Sequence, residues 1–336
     1  MFKAIADKLM TGEELSDMDA TECINLMMEN KIADTQKAAI LALLRAKGVT
    51  HKELTAFAIA MRKHSLSLGE FCSEPLLDTC GTGGDDLGTF NISTAAGFVV
   101  ASCGVKVAKH GNRAASSKCG SADLLEGLGV NIEIGPDLIK ECIKEAGFGF
   151  MFAKNHHPAM KHLGPVRKEL GFHTIFNLLG PLCNPANTKI QVMGVFAPEW
   201  VPIIASVLKN LGARTALVVH GSGMDEFSIC DETLVAELKD GRLKEYRVTP
   251  ASVGITPSTL SELKGGTIAE NVKIVQDIFS GKKGPKTNAV LFNAAASLYA
   301  YGKTDSIKNG IQVAENALEN GLVQETLNRV IKITNS

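Results

Sequence analysis

Asp78-Thr79-Cys80-Gly81-Thr82-Gly83-Gly84-Asp85 decides how this chain is read. Leu76-Leu77, just before it, reads as the end of a buried strand, and glycines follow at 81, 83 and 84. Without Cβ atoms a chain turns sharply and brings its N–H groups close to a ligand. Asn91-Ile92-Ser93-Thr94 then opens an apolar helix that runs to Cys103 and stops at Gly104. A helix start offers unpaired N–H donors and the positive end of a dipole, which suits phosphate. A short second strand, Val105 to Ala108, leads into a polar loop from Lys109 to Ser117. That loop carries two cations, Lys109 and Arg113, together with Asn112, Ser116 and Ser117. A lone glycine turn after a strand is usually only a turn. The glycine loop, the hydroxyl-bearing helix start and the cationic loop together predict two consecutive strand-to-loop junctions shaped for a phosphorylated ligand. Two familiar phosphate motifs do not fit. A dinucleotide fingerprint needs glycine where Asp86 stands, and a P-loop needs a Gly-Lys-Ser/Thr run that is absent here.

Outward from this stretch, residues 1 to about 66 read as helices. Phe2, Ile5 and Leu9 share one face, Ser16 is placed to cap a second helix, Asp34 precedes a third that Gly48 ends, and Thr50-His51-Lys52-Glu53 is a capping box for a fourth. From about residue 74 strand and helix alternate, including a short strand at 131–134, a helix opened by Pro136 and a strand at 148–152. Alternation of this kind predicts a mainly parallel sheet covered by helices. Residues 156–186 break the pattern. It resumes with strands at 191–196 and 215–219, and Asp240-Gly241 joins two more as a hairpin. Helices fill most of the remainder. The predicted fold class is therefore α/β, a mainly parallel sheet flanked by helices, plus a small all-helical domain.

Composition narrows the function classes. A net charge of −1 over 336 residues gives no sign of a nucleic-acid surface. No apolar stretch approaches a membrane span, and Met1-Phe2-Lys3 leads into an amphipathic pattern, so a cytoplasmic protein with no membrane partner is expected. The eight cysteines are scattered without a Cys-x-x-Cys pair and read as buried thiols, with Cys80 and Cys119 placed in loops.

Gly221-Ser222-Gly223-Met224-Asp225-Glu226 is the candidate metal segment. Adjacent acids on a regular strand point to opposite faces, whereas a glycine-broken loop lets both turn toward one point. Hard oxygen ligands beside a polyphosphate suit Mg²⁺. A solvated acidic turn is the plain alternative. His156, His157 and His162 lack the spacing of a zinc pair and read as packing groups; His110 lies between the cationic and amide groups of the ligand loop.

Asp78 to Asp85, Asn91 to Thr94, Lys109 to Arg113 and Gly120-Ser121-Ala122-Asp123 together resemble the signatures of the anthranilate phosphoribosyltransferase family, in order and spacing. Gly180-Pro181-Leu182-Cys183-Asn184-Pro185, Gly265-Gly266 and the segment 288–298 extend the resemblance over nearly the whole chain. It implies a nucleoside phosphorylase/phosphoribosyltransferase-like fold. The helical domain would comprise residues 1–66 completed by about 164–186, and the α/β domain residues 74–160 and 187–336. It implies transfer of the phosphoribosyl group of phosphoribosyl pyrophosphate (PRPP) to anthranilate in tryptophan biosynthesis. By resemblance, Gly84, Asp85, Thr89, Asn91, Ile92, Ser93, Thr94, Lys109, His110, Gly111, Asn112, Arg113, Ala114, Ala115, Ser116, Ser117 and Ser121 line the PRPP site. Arg113 either offsets phosphate charge or braces the loop. Arg167 and Asn112 contact anthranilate, and Gly81 allows its close approach. Asp225 and Glu226 bind Mg²⁺, Ser93 adds its hydroxyl to one ion, and two ions per subunit are implied. No general base is assigned, because an aromatic amine is already neutral. A homodimer through the helical domain is also implied. Two departures stand near the implied acceptor tunnel: His173 where arginine is usual, and Lys154 where proline is usual. Two other readings compete. A pyrimidine nucleoside phosphorylase of the same fold would carry a Lys-Met-Ser-Gly-Arg segment, which is absent. A non-catalytic nucleic-acid-binding relative would carry a strongly basic face.

Overall fold

The computed structural model describes residues 1–114 and 117–336; the expected ligand residues Ala115 and Ser116 lie outside them. Four helices lead: α1 (Phe2–Met10), α2 (Asp17–Met28), α3 (Asp34–Lys47) and α4 (His51–Lys63). Ser16 and Thr50 cap α2 and α4 as expected, each accepting a backbone N–H three residues on. A parallel α/β run follows: β1 (Leu77–Gly81), α5 (Ile92–Ser102), β2 (Val107–Gly111), α6 (Ser121–Gly127), α7 (Pro136–Glu141) and β3 (Phe148–Phe152). Next come α8 (Ala153–His156), α9 (Gly164–Leu170) and α10 (Ile175–Leu182), of which α9 and α10 pack back on α3 and α4. The chain then returns to the sheet with β4 (Ile190–Gly194), α11 (Trp200–Asn210), β5 (Thr215–Gly221) and the hairpin β6 (Thr233–Lys239) and β7 (Arg242–Val248). It ends in α12 (Ile268–Phe279), α13 (Pro285–Tyr301), α14 (Ile307–Glu319) and α15 (Leu322–Thr334).

The seven strands are ordered β3-β2-β1-β4-β5-β6-β7. The first five run parallel; β6 and β7 run antiparallel. Asp240 and Gly241 turn the hairpin at φ 51° and 72°, as a tight turn between right-twisted strands demands. The sheet is built outward in both directions from the β1–β4 pair, so the strand order reverses there. In open α/β sheets, ligands bind beyond the carboxyl ends of the strands at such a reversal. Alternation along the strands divides most of the apolar interior between two main cores, with a smaller cluster around Leu76, Ala108 and Met151. Leu77, Val107, Phe148, Ile190, Val192, Leu217 and Val219 pack with α5 and α13. Cys80, Met193, Ala216 and Val218 face the other way and merge with the apolar side chains of α2, α3, α4 and α10.

Three features differ from the sequence reading. Leu77 begins β1 instead of ending it, so Cys80 and Gly81 are strand residues. Lys109, His110 and Gly111 are likewise the last residues of β2, paired in register with Phe150, Met151 and Phe152, so the polar loop starts at Asn112. Residues 131–134 form no strand. Side chains capture their backbone instead, one distant and one local: Asn131 N–H donates to Thr334 Oγ1 (3.2 Å) and Glu133 N–H to Asn131 Oδ1 (3.0 Å).

Candidate active site

The carboxyl ends of β1, β4 and β5 bring the expected acids to the glycine loop. A Cβ on Gly81 would stand 2.2 Å from Asp225 Oδ2, and one on Gly194 would stand 1.5 Å from the Asp225 carbonyl oxygen, so two strand-end glycines admit this loop. Asp225 Oδ2 accepts the Gly83 N–H (2.7 Å), and Glu226 Oε1 accepts the Ser93 N–H at the start of α5 (3.1 Å). Adjacent in sequence, the two acids thus cap the two groups of backbone donors expected to face phosphate. Both are held in an unfavourable field. Burial, then the neighbouring Asp85, pushes Asp225 up to about 6. Burial, then Asp225, pushes Glu226 well above the usual carboxylate range, while Lys109 opposes the shift. Asp85 accepts the Leu87 N–H at Oδ1 (3.2 Å), and its other carboxylate oxygen is buried with no partner among the described residues. Converging carboxylates with an orphaned oxygen fit a divalent cation. Among the described residues no group of three or more His, Cys, Asp or Glu is arranged to enclose an ion alone. The fit is therefore to Mg²⁺, which keeps water and shares substrate oxygens.

Lys109 is a fixed cation on a strand, not a loop side chain. It is buried, and its Nζ donates to the Thr79 carbonyl and to Ser93 Oγ (3.3 Å), tying β1 to the start of α5. On the opposite face of the sheet Asp78 is fully buried. Its Oδ2 accepts from Asn184 Nδ2 (2.7 Å) and its Oδ1 from the His110 N–H (3.4 Å). Burial pushes Asp78 up to about 6, with Lys109 opposing. Sequence motifs contain Asp78 and Asn184 but assign them no role; a carboxylate inside an apolar strand is the signal that marks them.

The second loop is braced by its own acids. Arg113 forms ion pairs with Asp123 (3.0 Å) and Glu126, the latter through both terminal nitrogens, and its guanidinium lies 5.4 Å from the Phe152 ring centre. Of the two roles open to Arg113, bracing is the one the geometry displays. Asp123 Oδ2 also accepts the Ala114 and Gly120 N–H groups (both 2.9 Å), and Ser121 Oγ donates to the Asn112 carbonyl (3.2 Å). Gly111 gives this hydroxyl its room, since a Cβ there would lie 2.3 Å from Ser121 Oγ. Ser117 is exposed, and Thr89 forms an isolated bridge with Lys264. Ile92 and Thr94 are buried in the core, and the Ile92 N–H is already donated to the Phe90 carbonyl (2.7 Å).

A second group lies on the Asp78 side of the sheet. The rings of His110 and His157 stand 5.1 Å apart, and Nε2 of each is buried without a partner among the described residues, as is Thr174 Oγ1. Burial, then the His157 imidazole, holds His110 well below the ordinary histidine range, and burial, then the His156 imidazole, holds His157 down at about 4. His173 packs on Phe196 (4.6 Å) and fills the space a Gly84 Cβ would need, its Nε2 only 2.5 Å from that point. Arg167, on α9, is partly buried and lies 5.7 Å from the Phe176 ring centre. It makes no ion pair among the described residues, so a surface pairing with Glu169 or Glu145 is not formed. The packing reading does suit His156, whose Nδ1 meets the Leu66 carbonyl (2.7 Å). It does not suit His157, whose unpartnered nitrogen the sequence had no way to reveal.

His157 carries a stability prediction. A histidine depressed in the fold leaves the unfolded chain binding more protons below pH 6.5, so its contribution is lost as pH falls from about 6.5 toward about 4. His157→Gln is expected to recover about 2 kcal/mol of that acid loss by about pH 5. Urea unfolding at about pH 7 and pH 5 measures it, and parallel pH slopes for variant and parent would show that the folded chain accepts this proton freely.

Comparison with known proteins follows the same division. The family described as "Glycosyl transferase family, helical bundle domain" matches residues 3–65, and "Glycosyl transferase family, a/b domain" matches residues 73–324. Anthranilate phosphoribosyltransferase of Petrotoga mobilis is 44% identical over 336 residues, covering 100% of this chain and 97% of the relative. The crystal structure of anthranilate phosphoribosyltransferase from Thermus thermophilus superposes with a TM-score of 0.94 at 44% identity, covering 99% of each chain. The Saccharomyces cerevisiae enzyme in complex with PRPP and Mg superposes at 0.90 with 27% identity, covering 99% of this chain and 98% of that one. The same yeast enzyme in complex with 4-fluoroanthranilate gives 0.88 at 26% identity, with the same coverage. The helical layer, the glycine loop at the strand-order reversal and the paired acids beside it are thus parts of one inherited whole, and this chain belongs to the anthranilate phosphoribosyltransferases of the glycosyl transferase family.

Proposed function

We propose that the two groups of residues described above divide the family's reaction between them. The carboxyl ends of β1, β2 and β5 hold PRPP, and the His110–His157 side holds anthranilate. The observation that carries this is the convergence of Asp85, Asp225 and Glu226, one with an orphaned buried oxygen, on the backbone donors of Gly83 and Ser93. Breaking the bond between ribose and pyrophosphate develops positive charge on the sugar and negative charge on the departing oxygen. Mg²⁺ bound at Asp225, Glu226 and the Ser93 hydroxyl would supply charge stabilisation to the diphosphate. The three carboxylates offer charge for the two ions the resemblance implies. The chain's own part is positional. Gly84, Asp85, Thr89 and residues 91–94 would frame the diphosphate, Lys109 would add a fixed positive charge from below, and Asn112, Ala114 and Ser121 would contribute from the second loop. Arg113 braces that loop.

The aromatic amine attacks through its own lone pair and needs no base. Held neutral by burial, His110 and His157 each keep one ring nitrogen whose lone pair has the polarity to accept its N–H groups. Arg167, unpaired among the described residues, has the charge to hold the carboxylate through two hydrogen bonds. Packing of α9 and α10 on α3 and α4 supports the division into residues 1–66 with 164–186, and 74–160 with 187–336. Exposed Met10, Met18 and Ile59 on the helical layer support a homodimer through that layer. A cytoplasmic location is proposed from the biosynthetic reaction; among the described residues no helix is long and apolar enough to cross a membrane.

The test follows anthranilate fluorescence with PRPP and Mg²⁺ each omitted in turn. Loss of signal only with both present supports the reading, and phosphate-dependent cleavage of a pyrimidine nucleoside would replace it with the phosphorylase. In the same assay Arg167→Ala should raise the anthranilate KM about 100-fold, with the PRPP KM within about threefold. Equal rises in the two constants would remove Arg167 from the acceptor site.

A further inference from the structure

Gly265-Gly266 belongs to the family resemblance, yet nothing in the mechanism above uses it. In the fold this segment runs along the outside of the glycine loop. The Gly265 N–H donates to the Gly88 carbonyl (2.9 Å), the Phe90 N–H to the Leu263 carbonyl (3.1 Å), and Lys264 Nζ to the Leu87 carbonyl (2.6 Å). Contact is so close that a Cβ on Gly265 would lie 2.8 Å from Phe90 Cα. The segment then enters α12 and presents Asn271, which is 2% exposed.

Asn271 heads a relay of side-chain amides. Its Oδ1 accepts the Gly266 N–H (2.9 Å), and its Nδ2 donates to Asn91 Oδ1 (3.1 Å). Asn91 Nδ2 in turn donates to the Cys119 carbonyl (3.0 Å). Both outer partners are backbone groups with a single role, an N–H that only donates and a carbonyl that only accepts. The polarity of the whole relay is therefore fixed, and neither amide can turn over without placing like atoms together. Asn91 precedes α5 at the end of the first loop; Cys119 lies in the second, before α6. The relay spans the gap between the two loops from behind.

We propose that Asn271 is a positioning residue for the phosphoribosyl donor: acting through Asn91, it sets the separation of the two loops that face PRPP. This rests on the reading of those loops as the PRPP site. Asn271→Asp tests it by chemistry at nearly constant shape. The aspartate still accepts the Gly266 N–H but sets an oxygen against Asn91 Oδ1. If Asn91 turns over to donate to it, its own oxygen then faces the Cys119 carbonyl. With the carboxyl ionised, in assays at about pH 8, either way one repulsive oxygen pair falls between the loops, and a ligand gripped by both should lose more than a ligand gripped by neither.

The experiment measures kcat, both KM values and Tm for the full chain as parent, Asn271→Asp, Asn91→Ala and the double variant. The PRPP KM of Asn271→Asp should rise about tenfold, because sub-ångström misplacement of binding groups is costly. The anthranilate KM should stay within about twofold. In the Asn91→Ala background the same change should add less than about twofold, since the relay is already cut. Equal rises in both KM values, an unmoved PRPP KM, or effects that multiply in the double variant would each overturn the proposal. Should Asn271→Asp fail to fold, Asn271→Ser, which is neutral and too short to reach Asn91, is judged by the same criteria. Glu226→Ala serves as the control for the site itself. Full Mg²⁺- and PRPP-dependent activity in that variant would refute the PRPP site, whereas its loss together with a parent-like PRPP KM in Asn271→Asp would refute only the role of Asn271.

Discussion

Glu226→Ala is expected to reduce PRPP-dependent turnover about 10³-fold while leaving the fold as stable as the parent, or more so, in metal-free buffer above pH 7. The two halves of that expectation have one cause. Glu226 sits with Asp225 and Asp85 in a partly buried cluster, and burial followed by carboxylate repulsion raises its pKa well above the ordinary range. An acid raised in the folded state binds its proton more tightly there than in the unfolded chain. Stability therefore falls as pH climbs from the ordinary carboxylate value through the folded one, and above that the ionised group is a standing cost. Removing it relieves the cost and frees the Ser93 N–H, which then lies at a helix start where water or phosphate can reach it. A cation that binds the folded parent stabilises it by mass action. Thermal unfolding with and without Mg²⁺ and pyrophosphate should thus show a ligand-dependent rise for the parent and little for the variant. A variant that keeps both its turnover and its Mg²⁺-dependent rise would show that the carboxylate cluster is a structural accident of the loop.

Much of this site was legible in the chain because its parts are local. Gly81, Gly83 and Gly84 next to Asp85 announce a backbone that approaches something closely, and Asn91 to Thr94 announce a helix start. Gly221 to Glu226 announce acids on a broken loop. What could not be read is how far each strand runs. Lys109, His110 and Gly111 look like the opening of a polar loop because strands inside a sheet are usually apolar. They are strand residues because distant segments supply partners: Lys109 bonds to Thr79 and Ser93, and the His110 backbone to Asp78. The strand expected at 131–134 failed for the converse reason, since Thr334, two hundred residues on, holds that backbone in another shape. Pairings at such separations leave no periodic trace, and the same holds for the Asn91–Asn271 bond and the neighbouring rings of His110 and His157.

Lys109→Met is expected to raise the PRPP KM about 100-fold and to move the acid limb of activity toward higher pH. The side chain is buried beneath the acids, and its charge is what opposes the rise in pKa of both Glu226 and Asp78. Methionine fills nearly the same volume, so packing is largely kept and the change is mainly electrostatic. With the cation gone, Glu226 and Asp78 hold their protons to higher pH than they do in the parent. A site that needs the ionised carboxylate to draw a divalent cation then fails earlier as the solution is acidified. The stability cost should be moderate, about 1–3 kcal/mol, and smaller at low pH. Removing one member of a buried charge group is severe only when the other stays charged, and here the acids can take up a proton instead. Lost donors to the Thr79 carbonyl and Ser93 Oγ account for the remainder. The pH–rate profile separates this from a purely structural role. If Lys109 merely fastened β1 to α5, the variant would lose stability at every pH and keep the parent's acid limb.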